Sequence, residues 1–354
     1  MRRRLAARAS DYSSSRLLVF SSSAFRRTLV LTAVSLALAS AAVAQPAPAG
    51  RLDSATFWSQ SLGLRKQFLI WLPPSYDAQS SRRYPVAYYL HGLWGAEDNW
   101  TRAGGLHRSL DSLTAAGMPE LIVVMPDGDD GWYTTWNFLG DCGGCRSGFT
   151  PREGDTVDSY CVPWPHYDDY IARDLVAWVD STWRTKADRA HRAIAGLSMG
   201  GYGAITLALS YPDVFSAAAS HSGVLSPLYI GPHPFVEPPR YAGDLGALRQ
   251  SWGERFWPLI RPMFGPDTTG WWSRDPSRKA SRLATRDRAS MPALFFDVGI
   301  DDSVVVDQNR AFHHELQALG VAHDFREWPG RHDWPYWTLH ARESLRWIAA
   351  RIAP

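Results

Sequence analysis

A serine set between two glycines, Gly196-Leu197-Ser198-Met199-Gly200, follows the apolar run Arg192-Ala193-Ile194-Ala195 and precedes a small-residue run from Gly201 to Leu209. This order of strand, sharp turn and helix constrains the fold more than any other stretch of the chain. A strand that turns directly into a helix leaves no space for side chains beside the turn, so Gly196 and Gly200 read as steric requirements. The serine then stands clear of the sheet at a helix N-terminus, whose unpaired amides and positive dipole end suit a developing oxyanion. An isolated G-x-S-x-G is as often a glycine-rich turn that happens to hold serine, but the flanking strand and helix favour a nucleophile. Such a nucleophile needs a base, an acid that orients it, and a second oxyanion donor.

On this scaffold the acid and then the base are expected downstream of the serine. His313 and His314 fall on a helix marked by Phe312, Leu316 and Leu319, His323 lies in an alternating strand-like run, and His340 lies on the C-terminal helix. His332 alone follows a strand in a loop, Trp328-Pro329-Gly330-Arg331-His332, where Pro329 and Gly330 end the strand and free the imidazole to reach the sheet edge. The preceding strand, Pro292 to Gly299, contains Asp297 within its apolar run, which reads as structural, and leads to the doublet Asp301-Asp302. Asp302 is favoured as the acid and Asp301 is the alternative; either is also an ordinary turn cap. The Met199 amide follows the nucleophile, and the strand Pro85–Leu90 runs into His91-Gly92-Leu93, so Leu93 is expected to offer the second oxyanion amide, with His91 a loop-holding residue.

With these elements in place the chain resembles the esterase D-like serine esterases, a group that includes feruloyl esterases, S-formylglutathione hydrolases and antigen 85 mycolyltransferases. The resemblance rests on Tyr84-Pro85-Val86-Ala87-Tyr88-Tyr89-Leu90-His91-Gly92, Trp71-Leu72-Pro73-Pro74-Ser75-Tyr76, Met125-Pro126-Asp127-Gly128 with Trp132-Tyr133-Thr134, Gly196 to Gly201, and Gly330-Arg331-His332-Asp333-Trp334. These run in family order from about residue 57 to the C-terminus. The resemblance implies an α/β-hydrolase fold, a mostly parallel, doubly wound sheet, with Ser198 as nucleophile, His332 as base and Asp302 as acid. It also implies acyl transfer to an alcohol as an alternative to hydrolysis, and a non-catalytic binding protein on the same scaffold is the reading from a different class.

Residues 1–44 read as a signal peptide, with arginines before the apolar run Leu29–Val43 and an A-x-A site at Ala42-Val43-Ala44, leaving an esterase domain over 45–354 that is secreted or periplasmic. The apolar run is too short for a stable membrane span. Without residues 1–44, thirty basic side chains face thirty-four acidic ones, a net of −4 that gives no support for nucleic-acid binding. In an exported chain Cys161 is expected to pair with Cys142 or Cys145. Asp127, Asp129 and Asp130 lack a calcium-loop spacing and read as a solvated loop with no metal; no cofactor is called for. The segment 226–291 is long and aromatic-rich, an expected lid over the serine, with Trp252 and Trp257 equally assignable to a satellite core. Trp132, Trp271, Trp272 and Trp334 are the expected substrate-binding rings for a small-molecule or glycan ester.

Overall fold

The computed structural model describes residues 49–135, 165–264 and 268–353. The expected signal peptide and Cys142, Cys145 and Cys161 lie outside the described residues. Eight strands form one sheet in the order β1-β2-β4-β3-β5-β6-β9-β10. β1 (Arg51–Ser59) and β2 (Leu64–Leu72) pair antiparallel, and β2 pairs antiparallel with β4 (Ile122–Pro126). From β4 onward, β3 (Val86–Leu90), β5 (Arg192–Leu197), β6 (Ala217–His221), β9 (Ala293–Gly299) and β10 (Asp324–Trp328) are all parallel. This is the mostly parallel α/β-hydrolase sheet that the strand and helix pattern implies.

Parallel strands between two helical layers must be apolar on both faces. Val86, Tyr88 and Leu90 of β3 join one core cluster, and Ala87 and Tyr89 join the other. The first cluster includes the helix Met199–Ser210; the second includes the helices Leu106–Ala115 and Trp334–Ile352. Ala217, Ala218 and Ala219 on β6 are buried and small, which suits helices lying close on either face. The helix expected before β5 forms with Ile171, Leu175 and Val179 inward, but residues Tyr170–Leu175 adopt a π-helical turn between Tyr167–Asp169 and Val176–Thr182. Ser59 Oγ and the Ser61 amide both donate to Asp174 at 2.7 Å, tying that turn to the end of β1.

Within 226–291 the chain forms the small ribbon β7 (Tyr229–Gly231) and β8 (Arg240–Tyr241), then the helices Leu245–Phe264, Thr268–Arg274 and Pro276–Arg286. The first of these helices breaks at Gly253, whose φ of 67° and ψ of 165° lie outside helical space. Trp252, before the break, donates its indole N–H to the Pro227 carbonyl at 3.0 Å and packs into the core. No helix among the described residues is long and apolar enough to cross a membrane.

Candidate active site

The carboxyl ends of β5, β9 and β10 converge where open α/β sheets hold ligands. Ser198 sits between β5 and the helix Met199–Ser210 with φ 52° and ψ −116°, a left-handed conformation that a β-carbon disfavours. The turn is as crowded as its glycines suggest. A β-carbon on Gly196 would lie 2.2 Å from the Gly200 carbonyl oxygen, and one on Gly200 would lie 2.4 Å from the Leu90 oxygen and 2.5 Å from the His91 oxygen. The Ser198 amide donates to the His221 carbonyl at 2.9 Å, anchoring the turn to β6.

His332 lies between Ser198 and Asp302. Its Nε2 is 2.9 Å from Ser198 Oγ and its Nδ1 is 2.8 Å from Asp302 Oδ2. Asp302 is fully buried, and its Oδ1 accepts the amides of Val304 and Val305 at 3.0 and 3.2 Å, so both carboxylate oxygens are engaged. Asp301 is exposed, and its backbone amide donates to the Gly330 carbonyl at 3.0 Å. The loop that carries His332 is seated by close packing. A β-carbon on Gly299 would lie 2.3 Å from the Gly330 oxygen, and Gly330 at φ 144° lies against the Tyr336 ring. Asp333 caps the helix Trp334–Ile352 by accepting the Tyr336 amide at 3.2 Å. Trp337 presents an edge-on ring to the His332 imidazole at 5.0 Å and 87°.

Gly92 brings the loop His91-Gly92-Leu93 against Ser198: a β-carbon there would lie 3.4 Å from Ser198 Cβ and 2.7 Å from Leu197 Cδ1. Leu93 lines the cavity over Ser198, and Met199 is buried behind it. His91 holds this loop. Its Nε2 lies 2.9 Å from the Gly128 amide and its Nδ1 2.8 Å from the Gly92 carbonyl.

The acidic triplet differs from the solvated loop expected of it. Asp129 is buried and accepts Lys66 Nζ at 2.6 Å and the Tyr167 hydroxyl at 2.6 Å, while Asp127 accepts the same lysine at 3.1 Å. Asp130 accepts the Trp94 amide at 2.6 Å. Burial, then the Asp127 charge, pushes the Asp129 carboxyl up to about 6. Against the cost of burial, the Lys66 ammonium holds Asp127 well below the usual carboxylate range. Lys66 lies on β2, sixty residues upstream, and no local signal marks it as the partner.

A cavity of about 420 Å³ opens over Ser198 and His332. Trp132 and Trp334 line it, as do Trp94, Trp252, Phe256 and Trp337, which sequence reading did not assign to substrate. Trp337 is one helical turn beyond Trp334, a spacing that marks it in retrospect. The Trp132 indole donates to the Leu259 carbonyl at 2.9 Å, linking the loop after β4 to the helix that roofs the cavity. Trp271 and Trp272 do not line this cavity. Trp271 is fully buried in the main core, and Trp272 packs partly against that core beneath the Arg278 guanidinium, 4.5 Å from its ring centre. Their segment forms a helix, Thr268–Arg274, rather than the loop expected after Thr268-Thr269-Gly270, and from that helix both rings pack in or against the core. Trp257 likewise packs against the core.

Beneath the site, His221, Asp297, Tyr336 and Ser344 form a buried hydrogen-bonded chain between β6, β9 and the C-terminal helix. The structural reading of Asp297 matches this place.

Comparison with known proteins agrees with this architecture. Esterase Rv1288 of Mycobacterium tuberculosis (strain ATCC 25618 / H37Rv) is 28% identical over 306 residues, covering 84% of this chain and 59% of that protein. The chain thus spans less than two thirds of the length of the curated relatives it first matches. A solved ferulic acid esterase superposes with a TM-score of 0.63 at 24% identity, covering 85% of this chain and 98% of that one. The S-formylglutathione hydrolase from Agrobacterium tumefaciens gives 0.62 at 19% identity, covering 87% and 98%. Residues 59–348 match the Esterase family model, described as "Putative esterase", and the chain belongs to that family.

Proposed function

We propose that the protein hydrolyses carboxylic esters through an acyl-enzyme on Ser198. The observation that carries this reading is the His332 ring bridging Ser198 Oγ and Asp302 Oδ2 at 2.9 and 2.8 Å. His332 Nε2 takes the Ser198 proton as Oγ bonds to the acyl carbon. It then returns that proton to the leaving alcohol as the ester C–O bond breaks. Asp302 accepts the Nδ1–H, selects the tautomer and stabilises the imidazolium. The Leu93 and Met199 amides hold the oxyanion, and water, deprotonated by the same imidazole, releases the acid and restores Ser198.

The aromatic walls of the cavity suit an apolar or aromatic part of the ester, including feruloyl-type or acylated sugar esters. The arginine-rich N-terminal segment and its A-x-A site support export before the enzyme acts. A fluorophosphonate probe should label the wild-type protein at Ser198 and leave Ser198→Ala unlabelled. A panel of p-nitrophenyl, feruloyl and acetyl-sugar esters should then show turnover that the same substitution removes. An unlabelled wild-type protein with no turnover would return the chain to the non-catalytic reading.

A further inference from the structure

The cavity over Ser198 is apolar almost throughout, yet one permanently charged side chain lines it: among the described residues, Arg255 is the only lysine or arginine there. It rises from the roofing helix just after the break at Gly253, with its guanidinium 5.4 Å from the Phe256 ring centre. No carboxylate among the described residues lies within 4.0 Å of that guanidinium. Three acidic groups on adjoining segments are committed elsewhere. Glu254 pairs with Arg249 at 2.8 Å, Asp98 with Arg102 at 2.9 Å, and Asp130 accepts the Trp94 amide. Nearby surface arginines such as Arg249 and Arg102 thus have acidic partners, whereas Arg255 reaches the cavity with its five donors and, among the described residues, no acid to receive them.

We propose that Arg255 selects esters bearing an anionic group, a carboxylate, at the end of an apolar or aromatic body remote from the scissile bond. This rests on the hydrolytic reading above. Ser198 and His332 hold the ester, the tryptophans hold the body, and Arg255 meets the charge at the rim. Guanidinium matches a carboxylate through a planar pair of N–H donors. The carboxylate has two sources, the acyl side or the alcohol side of the ester, and the chemistry at Arg255 is the same for both.

The test uses matched pairs. On the acyl side, 4-nitrophenyl 4-carboxycinnamate is compared with its 4-methoxycarbonyl counterpart; on the alcohol side, 4-carboxyphenyl cinnamate with 4-methoxycarbonylphenyl cinnamate. In at least one pair the wild-type kcat/KM should favour the charged member. That preference ratio should fall about tenfold in Arg255→Gln, drop below one in Arg255→Glu, and weaken with added salt. Because the ratio is internal, partial loss of folded protein cancels. A wild-type ratio at or below one in both pairs, or a ratio unchanged in Arg255→Gln, overturns the proposal. Binding of the corresponding amides, read by tryptophan fluorescence, reports the same preference without turnover. Failure of hydrolysis therefore remains distinct from failure of anion selection.

Discussion

Tyr336 donates its hydroxyl to Asp297 Oδ1 at 2.8 Å, and the other oxygen of that carboxylate lies 2.6 Å from His221 Nδ1. The same tyrosine ring packs against Gly330 in the loop that carries His332, and the His221 carbonyl accepts the Ser198 amide. Two loops of the site are thereby seated on one buried carboxylate. Tyr336→Phe keeps the ring against Gly330 but leaves Oδ1 buried without that donor. We expect it to lower stability by about 1–3 kcal/mol in urea denaturation. Its kcat/KM for a small ester should fall less than that of Tyr336→Ala, which also removes the packing. Equal catalytic losses would show that the hydroxyl, not the ring, seats the loop.

For the proposed triad, Ser198→Ala and His332→Ala should each lower kcat by about four orders of magnitude or more. The double variant should be little worse, because a nucleophile and its base act as one unit. Multiplicative losses would separate the two residues. Asp302→Asn should cost about 10⁴-fold in kcat, since an amide in place of the acid favours the wrong imidazole tautomer. Asp301→Asn, at an exposed site, should leave kcat close to wild type.

The tryptophans divide into two roles that one experiment separates. Trp334 lines the cavity, so Trp334→Ala should raise KM for an aryl ester about tenfold while changing an acetyl ester little, as expected from losing roughly 1–2 kcal/mol of ring contact. Trp271 is a core residue, so Trp271→Ala should instead destabilise the fold by about 3–5 kcal/mol with no change in the aryl-to-acetyl ratio. A selectivity change in Trp271→Ala would bring that ring back to the substrate.

Asp275 caps the helix Pro276–Arg286, accepting the Arg278 amide at 3.0 Å, and it is buried. Burial pushes its carboxyl up to about 6, against that amide and the Arg278 charge. Between the ordinary carboxylate range and about 6 the folded chain holds a proton that the unfolded chain has lost. Its contribution to stability is therefore full at the acidic end, falls as pH rises through that window, and is flat above it. The slope is at most about 1.4 kcal/mol per pH unit. Asp275→Asn should remove this component, seen as a shallower decline in unfolding free energy from pH 4 to 7 relative to wild type. Parallel profiles would mean that the group titrates normally.

What could be read from the chain was what local sterics decide. The glycines beside Ser198, and the Pro329-Gly330 break before His332, announce their turns because no other backbone path fits there. The sheet followed from apolar runs of strand length. What escaped was set by register and by distant partners. His221 and Asp297 are directly paired across β6 and β9, yet stand seventy-six positions apart. Lys66 meets Asp129 across sixty-three. Trp271 and Trp272 are adjacent, so their shared appearance in a polar stretch said nothing about the helix that turns them inward. Gly253 is one glycine among many until its dihedral angles place the break that points Arg255 and Phe256 at the cavity.

The backbone of Ser198 carries one more consequence. At φ 52° and ψ −116° a residue with a β-carbon holds a conformation that an unconstrained chain abandons, and the strand and helix around it keep it there. Alanine keeps that burden and glycine relieves it. Ser198→Gly should therefore melt above both wild type and Ser198→Ala, by a margin of about 1 kcal/mol after glycine's greater freedom in the unfolded chain is counted. The two inactive variants would then differ in thermal tolerance while sharing the same loss of chemistry. The alanine form would be the one that keeps the native tension of the turn, and so the faithful vehicle for trapping an uncleaved ester.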